Sequence, residues 1–156
     1  MSISEKDLFD ARTAWGNGLI EISETFENEG IEMATSLASD MIDNLYGFNF
    51  GKVLFKPTLS GGSQTFRTTK EGALSYFVGH NPAYPNDSGF GIKFWREINS
   101  DTAATFIDDT VAMWMGWVTF IDRDGQVTKV DKSWGYKLDD VGNLRITLHH
   151  SSLPYE

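Results

Sequence analysis

The sequence contains no cysteine and only three histidines among its 156 residues. The absence of cysteine excludes disulfide bonds, zinc sites built on thiolates, and cysteine nucleophiles. His80 falls in a predicted loop, whereas His149 and His150 are neighbours that point to opposite faces of a predicted strand. Because a zinc ion needs three or four converging ligands, these histidines do not predict a metal site.

Positive charge and long apolar runs are also scarce. The chain has 13 Lys and Arg against 22 Asp and Glu, a formal net charge of -9. Because nucleic acids and anionic membranes bind clustered Lys and Arg, neither is expected as a partner, whereas a small neutral substrate is unaffected. No apolar run reaches about 18 residues, and the N-terminal residues lack the pattern of a secretory leader. We expect a cytoplasmic protein, with a leader removed from a longer precursor as the open alternative.

Aromatic side chains, by contrast, are abundant. The chain has five Trp and eleven Phe, and 40% of its residues are hydrophobic. This composition favours a folded chain over a disordered one. Since the length matches one ordinary domain, we expect residues 1–156 to form a single domain around one core rich in aromatic rings.

Two long amphipathic helices are predicted in the first third of the chain. Ser4 and Asp7 have the spacing of a capping box, and apolar residues then recur at helical spacing as far as Phe26. Gly30 allows a break, and a second apolar stripe follows it. Gly47 can end this second helix. Both stripes are expected to face the core.

The middle of the chain predicts shorter elements. Residues 52–57 have the composition of a short strand, and residues 60–64 that of a mobile loop. Thr68 and Glu71 have the spacing of a helix cap. They predict a short third helix that ends at Gly79.

Strands replace helices from residue 90 onward, with turn sequences DRDG and DDVGN between them. The predicted strands are residues 90–98, 102–107, 111–121, 126–138 and 144–150. Helices followed by an antiparallel sheet predict an α+β fold, with the helices packed on one face of the sheet. The strand at 111–120 is apolar on both faces, so its second face also needs a cover. A second copy of the same sheet would supply it, which predicts a homodimer.

Polar side chains on the last predicted strand are the feature most suggestive of function. With a period of two, one face carries Leu144, Ile146, Leu148, His150 and Ser152, and the other carries Arg145, Thr147, His149 and Ser151. A face with a cation, hydroxyls and an imidazole suits a pocket for a small polar or anionic ligand. The alternative is an ordinary edge strand with a solvated polar face.

Two more hydroxyl groups are candidates for the same pocket. Thr58 follows Pro57, and Tyr76 lies on the predicted third helix. Neither is diagnostic by itself, because a core tyrosine often keeps its hydroxyl at a wet edge and a loop threonine is common.

Three segments, GKVLFKPTL, FRTTKEGALSYFVGH and LRITLHHSSLPY, resemble in this order the iota-class carbonic anhydrases, a branch of the nuclear transport factor 2-like superfamily. The likeness covers the layout of residues 1–156 and is most specific in HHSSLP. It implies a cone-shaped half-barrel of curved sheet around the helices, and a homodimer formed through the sheet. It also implies a lyase that interconverts carbon dioxide and bicarbonate with no cofactor; a metal ion, described for other members, is the alternative.

The resemblance also implies which residues act. The Thr of KPT is Thr58, the Tyr of ALSY is Tyr76 and the first Ser of HHSS is Ser151. These hydroxyls are expected to be catalytic and to bind bicarbonate, because a hydroxyl both accepts from water and donates to a carboxylate-like oxygen. His149 is expected to take or relay the proton. Arg145, on the same predicted strand face, is a further candidate for substrate binding.

Two other functions are compatible with this superfamily. SnoaL-like isomerases and cyclases use a pocket carboxylate as a base, but the acidic residues of this chain cluster in turns, where they are usually solvated. A non-catalytic dimerisation or binding module, similar to the association domain of calcium/calmodulin-dependent protein kinase, is the second alternative. Such a module has no evident need for a polar face on the last strand.

Overall fold

Three helices precede a five-stranded sheet in the computed structural model, which describes residues 2–156. The helices are α1 (Glu5–Glu29), α2 (Ile31–Leu45) and α3 (Lys70–Val78). The strands are β1 (Leu54–Lys56), β2 (Trp95–Asp108), β3 (Val111–Asp122), β4 (Val127–Leu138) and β5 (Leu144–Ser152). The predicted α+β class is confirmed. Within the described chain, no helix combines the length and the apolar character that crossing a bilayer requires.

The capping box of α1 forms as predicted. The Ser4 hydroxyl accepts a hydrogen bond from the Asp7 backbone N–H (3.2 Å), and the Asp7 carboxylate accepts one from the Ser4 N–H (2.9 Å). The helix ends at Gly30, whose φ of 92° lies in the region that favours glycine. Between these ends, α1 buries Trp15 and Leu19 in the core.

Two predicted helix boundaries shift in the structure. The N-cap of α3 is Thr69, whose hydroxyl accepts a hydrogen bond from the Gly72 N–H (3.2 Å), so the predicted cap at Thr68 is wrong by one residue. The second helix ends at Leu45, because the next residue is already extended, and does not reach Gly47. The predicted loop at 60–64 contains a single 3-10 turn at its end.

Strand β2 is continuous where two strands were predicted. It pairs with β3 along its whole length, with register shifts between Trp95 and Glu97 and between Thr102 and Ala104. Such irregularities are β-bulges, and between them the polar residues 99–101 pair in regular register with β3. The residues before Trp95 form a 3-10 turn at Phe90–Ile92.

The sheet has the order β1-β5-β4-β3-β2. The four longer strands pair antiparallel with their neighbours, and β1 pairs parallel with β5, where Phe55 stands opposite His149. The parallel pairing was not predicted. It brings the segment after β1 beside the C-terminal half of β5.

The two faces of the sheet have different surroundings. The helices cover the concave face, where the rings of Trp114 and Trp134 are buried. On β3 the side chains alternate between the two faces, so Met113 (46% exposed), Met115 (58%) and Trp117 (37%) lie on the convex face. Together with Val111 and Phe106, these residues form an apolar surface that we call the convex patch.

Candidate active site

A β-bulge in β5 changes the predicted arrangement of its side chains. Gly135 pairs with Leu148 and Tyr136 with Ile146, so Thr147 is an extra residue on β5. Because the bulge shifts the alternation by one residue, Ile146 is buried on the same side as His149 and Ser151. The prediction of strict alternation along the whole strand is therefore wrong.

The bulge also separates Arg145 from the other predicted site residues. Arg145 pairs across the sheet with the exposed Lys137, and its Nε donates to the Asp139 carboxylate (3.1 Å). Its Nη1 donates to the backbone carbonyls of Asp43 (2.7 Å) and Asn44 near the end of α2. These are favourable contacts for a cation at a helix C-terminus. The structure thus gives Arg145 a capping role and does not bring it to the pocket.

The three predicted hydroxyl residues do come together. Thr58 Oγ1 lies 2.6 Å from Ser151 Oγ, and both side chains are buried. The Tyr76 hydroxyl accepts a hydrogen bond from the backbone N–H of Leu59, the residue after Thr58 (3.2 Å). Burial raises the pKa of Tyr76 to about 12, and hydrogen bonds with Leu59 and Thr58 offset only part of this effect. Tyr76 therefore keeps its proton at neutral pH and is available as a donor.

Each hydroxyl is fixed by a different element. Ser151 lies on β5, Thr58 follows β1 where that strand ends beside β5, and Tyr76 projects from α3. The Lys56 ammonium strengthens the β1 to β5 contact by donating to the Ser151 carbonyl (2.7 Å). The site therefore depends on the parallel strand pairing that joins residues distant in sequence.

His149 is buried and both of its ring nitrogens have partners. Nδ1 is 2.8 Å from the Tyr46 hydroxyl, and Nε2 is 2.9 Å from Lys132 Nζ. Trp15 Nε1 donates to the same Tyr46 hydroxyl (3.0 Å). Burial, with the nearby Lys132 as a second cause, lowers the pKa of His149 well below its usual value. His149 is consequently neutral, and it has no free nitrogen to offer to a substrate.

Lys132 is a buried amine that the sequence analysis missed. Its side chain is 3% exposed and lies on the concave face, with Nζ 4.9 Å from the centre of the Trp15 ring. Burial lowers the pKa of Lys132 to about 7; Asp131 raises it and Lys56 lowers it further. The sequence contained one indication of this burial. Lys132 shares a strand face with Val130 and Trp134, both of which are apolar.

These side chains surround a small, closely packed pocket. Its polar lining comes from Thr58, Tyr76, Lys132 and His149; its apolar lining is Trp15, Phe55, Pro57, Phe77 and Phe90. The Tyr76 and Phe90 rings are stacked 5.7 Å apart, and both also line a narrow cleft that Lys93 borders. Fixed hydroxyl donors in an aromatic enclosure favour charge stabilisation with little competing water.

Potential metal ligands do not gather at this site or elsewhere in the described part of the chain. Among residues 2–156 there is no group of three or more His, Asp or Glu side chains arranged to hold a metal ion. The polar groups of the cavity are hydroxyls, one imidazole and one amine.

Three comparisons with known proteins match nearly the full length of the chain and point to the same family. The sequence profile of the family described as "Metal-independent carbonic anhydrase" matches residues 6–153. A protein of that name from Nostoc sp. (strain PCC 7120) is 48% identical over 155 residues, which are 99% of this chain and 76% of that protein. A crystal structure described as an iota-carbonic anhydrase from a cyanobacterium complexed with bicarbonate has a TM-score of 0.98 and 48% identity. That match covers 99% of this chain and 94% of that one.

A more distant structure shares the fold alone. It is a putative calcium/calmodulin dependent protein kinase II association domain from Xanthomonas campestris, with a TM-score of 0.58 and 22% identity. The match covers 96% of this chain and 84% of that one. The likeness shows a shared fold and carries no statement about activity.

Proposed function

The chain belongs to the family of metal-independent carbonic anhydrases, and on that premise we propose that carbon dioxide and bicarbonate are interconverted at the cluster of Thr58, Tyr76 and Ser151. The 2.6 Å contact between Thr58 Oγ1 and Ser151 Oγ carries this proposal, because it ties Ser151 to Thr58, which lines the same pocket as Tyr76. The bicarbonate complex of the related structure supports a small anion as ligand.

The hydrogen-bonding capacity of the cluster suits the reaction. Three hydroxyls carry three protons, of which the bond between Thr58 and Ser151 uses one and the bond between Thr58 and Tyr76 uses another. The Tyr76 oxygen accepts from the Leu59 N–H and from Thr58, so the Tyr76 proton is the one available to a substrate. A free donor can stabilise the negative charge that develops on the carbon dioxide oxygens, while hydroxyl lone pairs orient the attacking water.

The test is the substitution Ser151→Ala, with Ser152→Ala on the same strand as the matched control. Loss of one preorganised donor typically lowers turnover by about a hundredfold to a thousandfold, whereas a hydrogen bond contributes only about 1 kcal/mol to folding. We expect Ser151→Ala to lose carbon dioxide hydration to that extent, with a thermal melt close to that of the control. A near-normal hydration rate in Ser151→Ala would refute the assignment of the site.

We also propose that the protein is a homodimer through the convex patch. Contiguous exposed apolar surface of this kind is unusual on monomers. In a twofold dimer the same patch on each copy would cover the other, which suits a face made mostly of Met and aromatic residues.

A further inference from the structure

The buried hydrogen-bond chain that ends at Lys132 has a direction. Trp15 Nε1–H can only donate, so the Tyr46 oxygen accepts its hydrogen bond (3.0 Å). The Tyr46 O–H then donates to His149 Nδ1 (2.8 Å). A neutral imidazole that accepts at Nδ1 carries its proton on Nε2, which lies 2.9 Å from Lys132 Nζ. Since this N–H can donate only to a lone pair, all bonds in the chain are made when Lys132 is a neutral amine.

The opposite direction is less favourable. A Lys132 ammonium would donate to Nε2, and His149 would then carry its proton on Nδ1 and donate to Tyr46. The Tyr46 oxygen would receive two donors, and its own proton would have no acceptor in the contacts of residues 2–156. Leaving a buried donor unpaired is costly, so the chain favours the neutral amine at rest.

Lys132 also has the right position for a reaction with water held at the hydroxyls. It stands directly opposite Ser151 in the pairing of β4 with β5. Residues in such cross-strand pairs have Cβ atoms about 4.5–5.5 Å apart and point to the same face. Lys132, Thr58 and Tyr76 line one pocket, so the amine and the two hydroxyls face the same point of the concave side.

We propose that the Lys132 amine is the proton acceptor for the water that attacks carbon dioxide. The water oxygen forms a bond to carbon, one of its O–H bonds breaks, and the proton moves to the lone pair of Nζ. The products are bicarbonate and a lysine ammonium, which passes its proton to solvent or buffer before the next turnover. Dehydration is the reverse sequence. The proposal rests on the proposed function, since the water must be held at the hydroxyl cluster.

In this scheme His149 and Tyr46 are positioning residues. Their hydrogen bonds direct the His149 N–H at Lys132 and so fix the amine in the cavity wall. When Lys132 takes up the proton, its lone pair turns from the His149 N–H to the water, so the bond between Nζ and Nε2 breaks and forms again once the ammonium has released its proton. The titratable or charged groups that surround Lys132 are His149, Tyr76, Lys56 and Asp131.

The pH dependence has a definite sign. A base acts when it is deprotonated, so the hydration kcat/KM should increase about tenfold per pH unit below the pKa of Lys132, about 7, and level off above it. The kcat/KM for bicarbonate dehydration needs the ammonium and should decrease above the same pH. If Lys132 instead served as a fixed positive charge, the hydration rate would decrease with rising pH.

The first experiment compares Lys132→Met and Lys132→Arg with Lys52→Met, which removes an exposed lysine. General-base catalysis typically contributes about a hundredfold to ten-thousandfold, so Lys132→Met should lose at least a hundredfold in kcat and the pH dependence near 7. Lys132→Arg should be equally impaired, because a guanidinium stays protonated. Retention of activity by Lys132→Arg, or of the wild-type pH profile by Lys132→Met, would overturn the proposal.

The second experiment needs no substitution. In the wild-type protein with ¹⁵N-labelled lysine, the Nζ resonance of Lys132 should convert from ammonium to neutral amine as the pH rises through about 7. An ammonium that persists to pH values near the ordinary lysine pKa, about 10.4, would refute the proposal. If Ser151→Ala is inactive while Lys132→Met keeps its hydration rate, the lysine proposal is refuted and the proposed hydroxyl site is retained. Normal activity in Ser151→Ala would refute the hydroxyl site.

Discussion

Thr58 and Ser151 share a hydrogen bond, so a substitution of either residue changes the surroundings of the other. At the scale of single residues, the site is therefore a coupled unit. The coupling explains why neither hydroxyl is diagnostic in the sequence, since the role proposed for each one requires a partner from a distant segment.

This coupling gives a prediction for the double substitution Thr58→Val with Ser151→Ala. Each single change should lower the hydration rate by about a hundredfold or more, and the double change should lose far less than the product of the two. Thr128→Val, on β4 outside the site, serves as the control. Added to either single variant, it should leave the hydration rate of that variant unchanged. Multiplicative losses would show that the two hydroxyls act independently. Hydration kinetics and a thermal melt of each variant provide the comparison.

The sequence indicated some site residues better than others. Motifs identified Thr58, Tyr76 and Ser151, and the structure brings them together. Lys132 was missed because a lysine within a strand is usually solvated, and only the neighbouring helix α1 and its Trp15 ring show that this one is buried. Hydrogen-bond partners across 17 to 103 residues cannot be read from a local pattern.

At the scale of elements, the β-bulge at Thr147 determines which residues of β5 enter the site. Period-two alternation correctly grouped His149 with Ser151 but added Arg145, because an alternation pattern contains no information about an extra residue. The order of helices and strands followed from caps, turns and apolar periods. The parallel pairing of β1 with β5 could not be predicted in this way, since pairing between distant segments leaves no local pattern in the sequence.

A buried ion pair anchors the helix that carries Tyr76. Arg67 contacts Asp87 through two hydrogen bonds of 2.7 Å, with side chains 3% and 5% exposed, and Ser75 of α3 donates to the same carboxylate (2.6 Å). Burial opposes ionisation of Asp87, but these hydrogen bonds outweigh it and lower its pKa. The stabilisation is present above the unfolded-state pKa, about 3.9, and is lost as the pH falls through the lower folded-state value.

We therefore predict that Asp87→Asn lowers the free energy of unfolding by about 3 kcal/mol or more at pH 7, because it leaves Arg67 buried without a charge partner. Asp10→Asn, in the exposed pair with Lys6, is the control and should leave stability almost unchanged. Urea unfolding at pH 7 and at pH 3 measures both effects. The difference between wild type and Asp87→Asn should shrink at the lower pH. An equal difference at both pH values would contradict the role assigned to the carboxylate.

At the scale of the whole molecule, the convex patch gives a prediction about assembly. Light scattering at micromolar concentration should give the mass of a dimer for the wild type. Met115→Lys places a charge in the middle of the patch and should yield a monomer, because burying an unpaired charge in an interface is costly. Asn28→Lys adds the same charge on an exposed position of α1 and should stay dimeric. A monomeric wild type would contradict the prediction.

The contact between Thr58 and Ser151 closes a loop of 93 residues along the chain. Contacts of such long range form late in folding, since the entropy of loop closure must be offset by many other interactions first. Ser151 lies on β5, which follows the other four strands of the sheet along the chain. At the proposed site, activity therefore requires β5 to be docked beside Thr58, so the recovery of activity during refolding should report this docking step.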